Sequence, residues 1–390
     1  MDFEDIGRSL EGVNGGERYR TFLDQYESFE GSGDHLFSNE EERYNFLDNY
    51  EDLPESVEMI EAMAQTIDAE EHPYLGLFLS YCINNRIEKY KVELDLRQGI
   101  FHEGSNINTR HNFLGYKNAG KEITIRGDIG NNAGKLMSDG KLFIDGHAGD
   151  NVGFNQEGGE IIAEGDVEHY AGLKKIGGKL KIKGKAYNML GKEQKGGLIE
   201  VGSAANFPGF RKKGGRIHIL GNAGRRVNGQ AKGGTTIVEG NVGINLGYTN
   251  RGSRILVKGN AGDFVGQKMR DGLIKIEGSA GRCAGYIMEG GTIVIEGEVD
   301  PESINRGKHK LRNDYIRTAS YMRGGDLHIG EGELYLHYLD IFGGKIYHKG
   351  GLLVDEGERL SYPRQLWSRF FEDEEIDDSD YFLLLEDEWD

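Results

Sequence analysis

Residues 253–297 decide the fold, because SRILVKGNAGDFVGQKMRD (253–271), GLIKIEGSAGRCAGYIMEG (272–290) and GTIVIEG (291–297) repeat one pattern. In each segment a glycine or serine precedes two aliphatic residues in alternate positions, and a second glycine follows. The residues that open such segments along the chain are Gly120, Gly140, Gly159, Gly178, Gly197, Gly215, Gly234, Ser253, Gly272, Gly291, Gly325 and Gly344. They are separated by 20, 19, 19, 19, 18, 19, 19, 19, 19, 34 and 19 residues. A fixed period of this size predicts a solenoid, in which each unit buries its apolar side against its neighbours.

Each repeat carries one short strand pattern. In the regular repeats the second and fourth residues after the opening glycine are apolar, as in the pairs Leu142 and Ile144, and Ile274 and Ile276. Such alternation gives one buried and one solvated face, and a constant period stacks equivalent residues about 4.8 Å apart in a parallel ladder. We therefore predict a mainly β fold, a parallel β-helix of about 19 residues per coil and about twelve coils.

The two ends of the chain depart from the repeat. Residues 1–90 show helical spacing, with a capping sequence at 38–41, and predict an acidic helical cap domain over the first coil. The β-helix is expected over residues 91–357. Residues 358–390 form an acidic tail, which the sequence predicts either as a strand or short helix on the last coil or as an exposed docking peptide.

Charge is unevenly distributed along the chain, whose net charge is −18. Residues 1–110 carry 25 acids and 9 bases, residues 351–390 carry 14 acids and 3 bases, and residues 111–350 carry 26 acids and 35 bases. This pattern indicates that the acidic ends fold back on the basic solenoid, or that the solenoid binds an anionic partner. We favour the first interpretation, because the same chain supplies the opposite charge at high local concentration.

The 34-residue step marks an insertion within residues 300–323. Six basic residues give residues 301–323 a net charge of +4: Arg306, Lys308, Lys310, Arg312, Arg317 and Arg323. Insertions in solenoids commonly lie on a binding face, so we consider these six a candidate site for an anionic ligand or an acidic partner surface. The alternative is a solvated loop, or one paired with the acidic tail.

Columns of equivalent residues favour a structural role for the repeats. Acids and bases mostly alternate in Asp145, Glu164, Lys183, Glu239, Lys258, Glu277 and Glu296, which predicts an exposed salt-bridge ladder. A second column, Asn222, Asn241, Asn260 and Ser279, predicts hydrogen bonds from rung to rung. The repeated G-x-A-G-x-x-V-G is followed by a strand where a dinucleotide fingerprint needs a helix. No catalytic, metal-binding or cofactor-binding residues are predicted.

Composition bounds the remaining interpretations. The two cysteines have no metal-type spacing, and the sequence has neither a run of 18 apolar residues nor a typical signal peptide, so we expect a cytoplasmic protein that does not enter the membrane. The basic clusters Arg211–Lys213 and Arg225–Arg226 do not alternate with aromatic residues, which disfavours nucleic-acid binding.

The run GNAGDFVG (259–266) with GLIKIEGSAGRCAGYIMEGGTIVIEGEV (272–299), and its neighbours from about Gly120, resembles the GXGXG repeat domain. That domain forms the C-terminal part of the large polypeptide of glutamate synthase. It also forms one of the polypeptides of formylmethanofuran dehydrogenase and of its formyltransferase/hydrolase relatives. The resemblance implies a right-handed parallel β-helix that holds catalytic subunits together and supplies no catalytic residues of its own.

Two functions follow as hypotheses. The first is a non-catalytic scaffold or protein-interaction module with protein partners, in a redox, formyl-transfer or amidotransfer complex, where any enzyme activity would be of oxidoreductase or formyltransferase type. The alternative is a stand-alone enzyme or binding protein for an anionic small molecule or carbohydrate that uses the basic insertion. A homo-oligomer joined through the rods is a third, weaker interpretation.

Overall fold

The structure is a computed structural model, and it describes residues 25–26, 28–29, 39–50, 53–67, 72–97, 110–299, 319, 321–331, 341–355 and 358–359. Fifteen strands in this part of the chain form a single sheet, and their order in the sheet is their order in the sequence. The strands are β1 Lys91–Asp95, β2 Ala119–Arg126, β3 Asp139–Asp145, β4 Glu160–Ala163, β5 Lys179–Ala186, β6 Leu198–Ala204, β7 Arg216–Ile219, β8 Thr235–Val238, β9 Arg251–Val257, β10 Asp271–Ile276, β11 Thr292–Ile295, β12 Arg323–Ile329, β13 Gly343–His348, β14 Gly351–Asp355 and β15 Glu358–Arg359.

Consecutive strands from β1 to β13 pair in parallel. Partners such as Leu142 and Ile161 lie one period apart, so each coil of the chain adds one rung. The predicted parallel β-helix with a period of about 19 residues is therefore confirmed. Twelve strands, β2–β13, make eleven such steps.

The core of the solenoid is built from the alternate positions that the repeat predicts. Leu142, Ile144, Ile274 and Ile276 are fully buried, and the same positions are buried in the other coils except at His348 of the last parallel strand, which is half-buried. A third inward column, of smaller residues, runs from Ile129 to Val299 and forms isolated parallel bridges, as between Ala261 and Ala280. Together with buried residues on the turn side, such as Val152 and Val265, these columns enclose a largely apolar interior.

Side chains extend the hydrogen-bond ladder where the strands end. In the predicted asparagine column, the Asn222 side-chain oxygen accepts from the Asn241 backbone N–H, and Asn241 accepts from Asn260, both at 2.8 Å. Rung-to-rung bonding in this column is confirmed, with a backbone N–H as the donor. The predicted salt-bridge column is also present, since Lys183 lies 2.7 Å from Glu164.

Three α-helices precede the solenoid in the described part of the chain: α1 Glu40–Phe46, α2 Val57–Thr66 and α3 Leu75–Asn85. A 3-10 turn, Leu47–Asn49, extends α1. The N-cap of α1 is Asn39, whose side-chain oxygen accepts from the Glu42 N–H at 3.0 Å. The N-cap residue of α1 is therefore one position later than the 38–41 sequence suggests, and Asn39 has the extended conformation that an N-cap requires.

The buried helix α3 fastens these helices to the first coil. The Ser80 hydroxyl donates to the Phe113 carbonyl oxygen at 2.9 Å and accepts from the Gly115 N–H at 3.0 Å. At Gly76 an added Cβ would lie 1.9 Å from the Asn112 carbonyl oxygen, so only glycine permits this approach. The helices thus cover the end of the solenoid, where backbone groups and apolar surface would otherwise be exposed.

At the other end the parallel pairing stops at β13. Lys349 and Gly350 both have positive φ, 50° and 74°, which suits a two-residue hairpin turn. The chain therefore reverses, and β14 and β15 pair antiparallel. The residues of the tail beyond Arg359 lie outside the described residues. Within the described segments, we find no helix with the length and apolar character needed to cross a membrane.

Candidate functional site

The predicted basic insertion lies almost wholly outside the described residues. This applies to Arg306, Lys308, Lys310, Arg312 and Arg317. The sixth base, Arg323, is the first residue of β12, and its N–H donates to the Met288 carbonyl oxygen at 2.7 Å.

A different set of basic residues stands out on the turn-rich side of the solenoid. Each coil returns to its next strand through residues that adopt the left-handed conformation, such as Tyr170 and Phe207, both with φ 64°, and Arg226 with φ 58°. This conformation costs a non-glycine residue roughly 1–2 kcal/mol. Rung-to-rung hydrogen bonds help to offset that cost, as when the Phe207 N–H donates to the Arg225 carbonyl oxygen at 2.9 Å.

On this side, cations lie over aromatic rings, mostly rings of a neighbouring rung and, for Arg211, the ring of the preceding residue Phe210. We call the surface the aromatic–cationic edge, and it comprises Phe154, Lys174, Tyr170, Lys192, Phe207, Phe210, Arg211, Arg225, Arg226 and Tyr248. The distances from cation to ring centroid are 5.9 Å for Lys174 and Phe154, 5.3 Å for Lys192 and Tyr170, 5.2 Å for Arg211 and Phe210, 5.4 Å for Arg225 and Phe207, 5.6 Å for Arg226 and Phe207, and 5.4 Å for Arg226 and Tyr248. These separations lie within the range of cation–π attraction.

The bases of the edge differ from those of the strand face in their partners. On the strand face Lys181 lies 2.6 Å from Glu200, and Lys258 lies 2.9 Å from Glu239. Among the described residues, the five bases of the edge have no carboxylate within salt-bridge distance. Arg225 and Arg226 are moreover exposed. The rings position the edge cations without neutralising them, so an external carboxylate or other anion can bind there.

In the first coils of the solenoid, the same arrangement of cations and rings binds the acidic first turn of α1. Lys135 lies over Phe154 at 5.0 Å, and its Nζ donates to Glu40 of α1 at 2.9 Å. In the neighbouring rung, Lys117 donates to Glu41 at 2.8 Å. Partial burial opposes ionisation of Glu40, but the hydrogen bond and charge of Lys135 outweigh it and lower the pKa of Glu40.

The interior of the solenoid contains a polar column. The inward position that holds Met137, Met269, Met288 and Met322 in other coils is taken by Gln156, Lys175, Gln194 and Lys212 in four successive coils. All four are fully buried. Lys175 Nζ donates to Gln156 Oε1 at 2.8 Å and to the Gly177 carbonyl oxygen. Lys212 Nζ donates to the Thr236 hydroxyl at 2.8 Å.

Burial makes both lysines weak bases. It lowers the pKa of Lys175 to about 7, and it lowers the pKa of Lys212 well below the usual value for lysine. Neither has an ion-pair partner among the described residues, so the neutral amine suits the interior. Because both side chains are fully buried, the column can affect stability but offers no contact to a ligand outside the solenoid.

Other reactive groups are few in the described segments. No group of three or more His, Cys, Asp or Glu side chains there could hold a metal ion. Cys82 and Cys283 are both free and buried, and burial raises the pKa of the Cys82 thiol. A cleft of about 430 Å³ lies between α3 and the first coil. Its Asn84 amide donates at 2.9 Å to the Tyr44 hydroxyl and to the Tyr116 carbonyl oxygen, so this lining group serves the packing of the cap.

No protein-family model matches the chain, and no curated protein is significantly similar to it.

Sequence reasoning missed both the edge and the buried column. The basic clusters at 211–213 and 225–226 have no aromatic residues interleaved in the sequence, but in the fold Phe207, Phe210 and Tyr248 lie against their arginines. Aligning the turn positions of successive coils would have revealed this. The same alignment places Lys175 and Lys212 in a column otherwise rich in methionine, which is the signal for their burial.

Proposed function

We propose that this protein is a non-catalytic scaffold that binds acidic segments of other proteins along its aromatic–cationic edge. The observation that carries the proposal is the contrast between the strand-face lysines, which are paired with glutamates, and the edge bases, which rest on rings. A solenoid surface that keeps several charges unpaired along one line offers many weak contacts to an extended acidic partner.

The repeat pattern supports a narrower form of this proposal. The chain resembles the GXGXG domain, which holds catalytic subunits together in glutamate synthase and in formylmethanofuran dehydrogenase. A partner with redox, formyl-transfer or amidotransfer activity would fit that resemblance. A right-handed coil, as in that domain, and a cytoplasmic location belong to the same proposal.

The test is purification of the tagged full-length chain from its native cells, compared with two charge-reversal variants. The edge variant combines Arg211→Glu, Arg225→Glu and Arg226→Glu. The control combines Lys195→Glu, Lys213→Glu and Lys232→Glu, which change the same charge at exposed positions of the same coils but contact no ring.

A stoichiometric partner should accompany the wild-type chain and the control variant, and the edge variant should lose it. Equal retention by all three proteins would refute a role for the edge. Activity of the isolated chain on an anionic small molecule or carbohydrate would instead support the alternative function through the basic insertion.

A further inference from the structure

The edge has a candidate occupant within the same chain. We infer that the acidic residues 372–380 and the apolar residues that follow them, up to Trp389, bind the aromatic–cationic edge and compete there with a partner protein. This inference rests on the proposed docking role of the edge and adds a means of regulating it.

The first support is the acidic turn of α1. Glu40 and Glu41 bind Lys135 and Lys117 at 2.9 and 2.8 Å, and Lys135 also lies over Phe113 and Phe154. An acidic segment of this chain therefore already binds one end of the line of cations and rings. The coils that follow repeat the arrangement with Lys174, Lys192, Arg211, Arg225 and Arg226, which have no carboxylate partner in the described part of the chain.

The second support is chemical complementarity. Residues 372–380 read EDEEIDDSD, and residues 381–389 read YFLLLEDEW. The first segment offers carboxylates to the guanidinium groups, and the second offers aromatic and aliphatic side chains to the half-buried rings of Phe207, Phe210 and Tyr248. A nucleic acid would match the bases too, but the net charge of −18 repels it from the rest of the molecule.

The third support is reach. Lys174 follows β4, which is eleven strand positions from β15, or about 53 Å along the solenoid. An extended chain over residues 360–380 spans up to roughly 70 Å. The acidic run can therefore lie along the whole edge without any rearrangement of the solenoid.

Zero-length carbodiimide cross-linking of the pure full-length protein tests the inference, because it joins lysine amines to carboxylates in direct contact. We expect cross-links from residues 372–390 to Lys174 and Lys192. Their yield should fall by at least about tenfold in the edge variant, as expected when contacts worth more than 1.4 kcal/mol are removed. The control variant, Lys195→Glu with Lys213→Glu and Lys232→Glu, should retain them.

A charge swap separates direct contact from general attraction. Adding Glu372→Lys, Asp373→Lys, Glu374→Lys and Glu375→Lys to the edge variant should create new cross-links between the substituted tail and the substituted edge. Absence of this rescue, or an equal loss in the control variant, overturns the inference.

Other outcomes assign the tail or the edge to different occupants and also overturn the inference. Cross-links from the tail to Lys308 or Lys310 would place it on the insertion, and cross-links only within dimers would place it on a second copy. Binding of a labelled single-stranded oligonucleotide to the edge, without tail cross-links, would make nucleic acid the occupant. The proposed scaffold function is tested separately, since the purification detects the partner itself and the cross-linking of the pure protein detects the tail.

Discussion

Replacing Lys175 by methionine should stabilise the protein at neutral pH and destabilise it at high pH. Methionine fills the same inward position in four other coils, so the substitution fits the packing. In the folded protein burial lowers the pKa of Lys175 to about 7, whereas in the unfolded chain it is about 10.4. The unfolded state therefore binds more protons between these two values, and the stability of the wild-type protein rises with pH across that window.

The magnitude follows from this shift. At pH 7 the difference in pKa lowers the free energy of unfolding of the wild-type protein by about 4 kcal/mol, and at pH 10.5 by less than about 0.5 kcal/mol. The substitution also removes the hydrogen bond to Gln156 Oε1, and an acceptor left without a donor costs about 2 kcal/mol. We expect the variant to be more stable by about 2 kcal/mol at pH 7 and less stable by about 2 kcal/mol at pH 10.5, with the change of sign near pH 9.

Urea unfolding followed by circular dichroism at pH 7, 9 and 10.5 measures this difference. Lys195→Met serves as the control, because it is the same substitution at an exposed position. Its effect on the free energy of unfolding should vary little with pH. A difference between wild type and Lys175→Met that is the same at all three pH values would refute the reasoning, since it would mean that Lys175 titrates as an exposed lysine does.

Three further perturbations test the packing, the ladder and the cap. An alanine Cβ at Gly266 would lie 2.3 Å from Ile293 Cδ1, at a φ of 64°. Gly266→Ala should therefore lower the free energy of unfolding by about 2 kcal/mol, and adding Ile293→Val should recover part of the loss. No recovery would mean that backbone strain alone is responsible. Asn241→Ala removes the acceptor of the Asn260 N–H, so hydrogen exchange of the Asn260 amide should accelerate. Asn241→Asp keeps an acceptor and should preserve the protection of this amide. Unchanged exchange in Asn241→Ala would mean that the side-chain ladder does not protect the Asn260 amide. The folded pKa of Glu40 is lowered, so its interaction with Lys135 is fully present above the pKa of an unfolded glutamate and is lost as pH falls through the folded value. Glu40→Gln should therefore reduce the free energy of unfolding at pH 7, by less than about 1 kcal/mol, and the reduction should shrink as the pH is lowered. An effect that does not change with pH would rule out the ion pair.

The period and the strand columns could be predicted from sequence because the relevant contacts repeat within each coil. Leu142 and Ile144 alternate within one strand, and the next coil repeats the alternation one period later, so burial and register follow together. The asparagine column was predictable for the same reason. Its donor was not, because the choice between a side-chain amide and a backbone N–H depends on the turn geometry at Asn241.

The edge and the buried lysines could not be inferred from local sequence. Lys175 stands in the segment LKKI, which gives no indication that one lysine is exposed and the next enclosed. Its burial follows from the closure of the coil. Arg226 contacts rings of residues 19 positions before it and 22 positions after it, Phe207 and Tyr248. Such pairs are adjacent only once the left-handed turn residues have fixed the direction of each side chain.

The unpaired state of the edge bases is a property of this sequence and is not imposed by the fold. The same turn position that holds Arg225 holds Arg282 three coils later, and there the guanidinium lies 3.0 Å from the Asp263 carboxylate of the preceding coil. An acid one coil before Arg225 could therefore pair with it equally well, yet that position is Asn206, whose side chain accepts from the Arg225 N–H at 3.3 Å. This turn position can therefore pair charges between successive coils, as Arg282 does with Asp263. At Arg225 no acid is present, and a ring holds the guanidinium group in place. Because the cations are held in position before any anion arrives, binding of a carboxylate partner requires less ordering of side chains. This favours a docking surface over an ordinary solvated face.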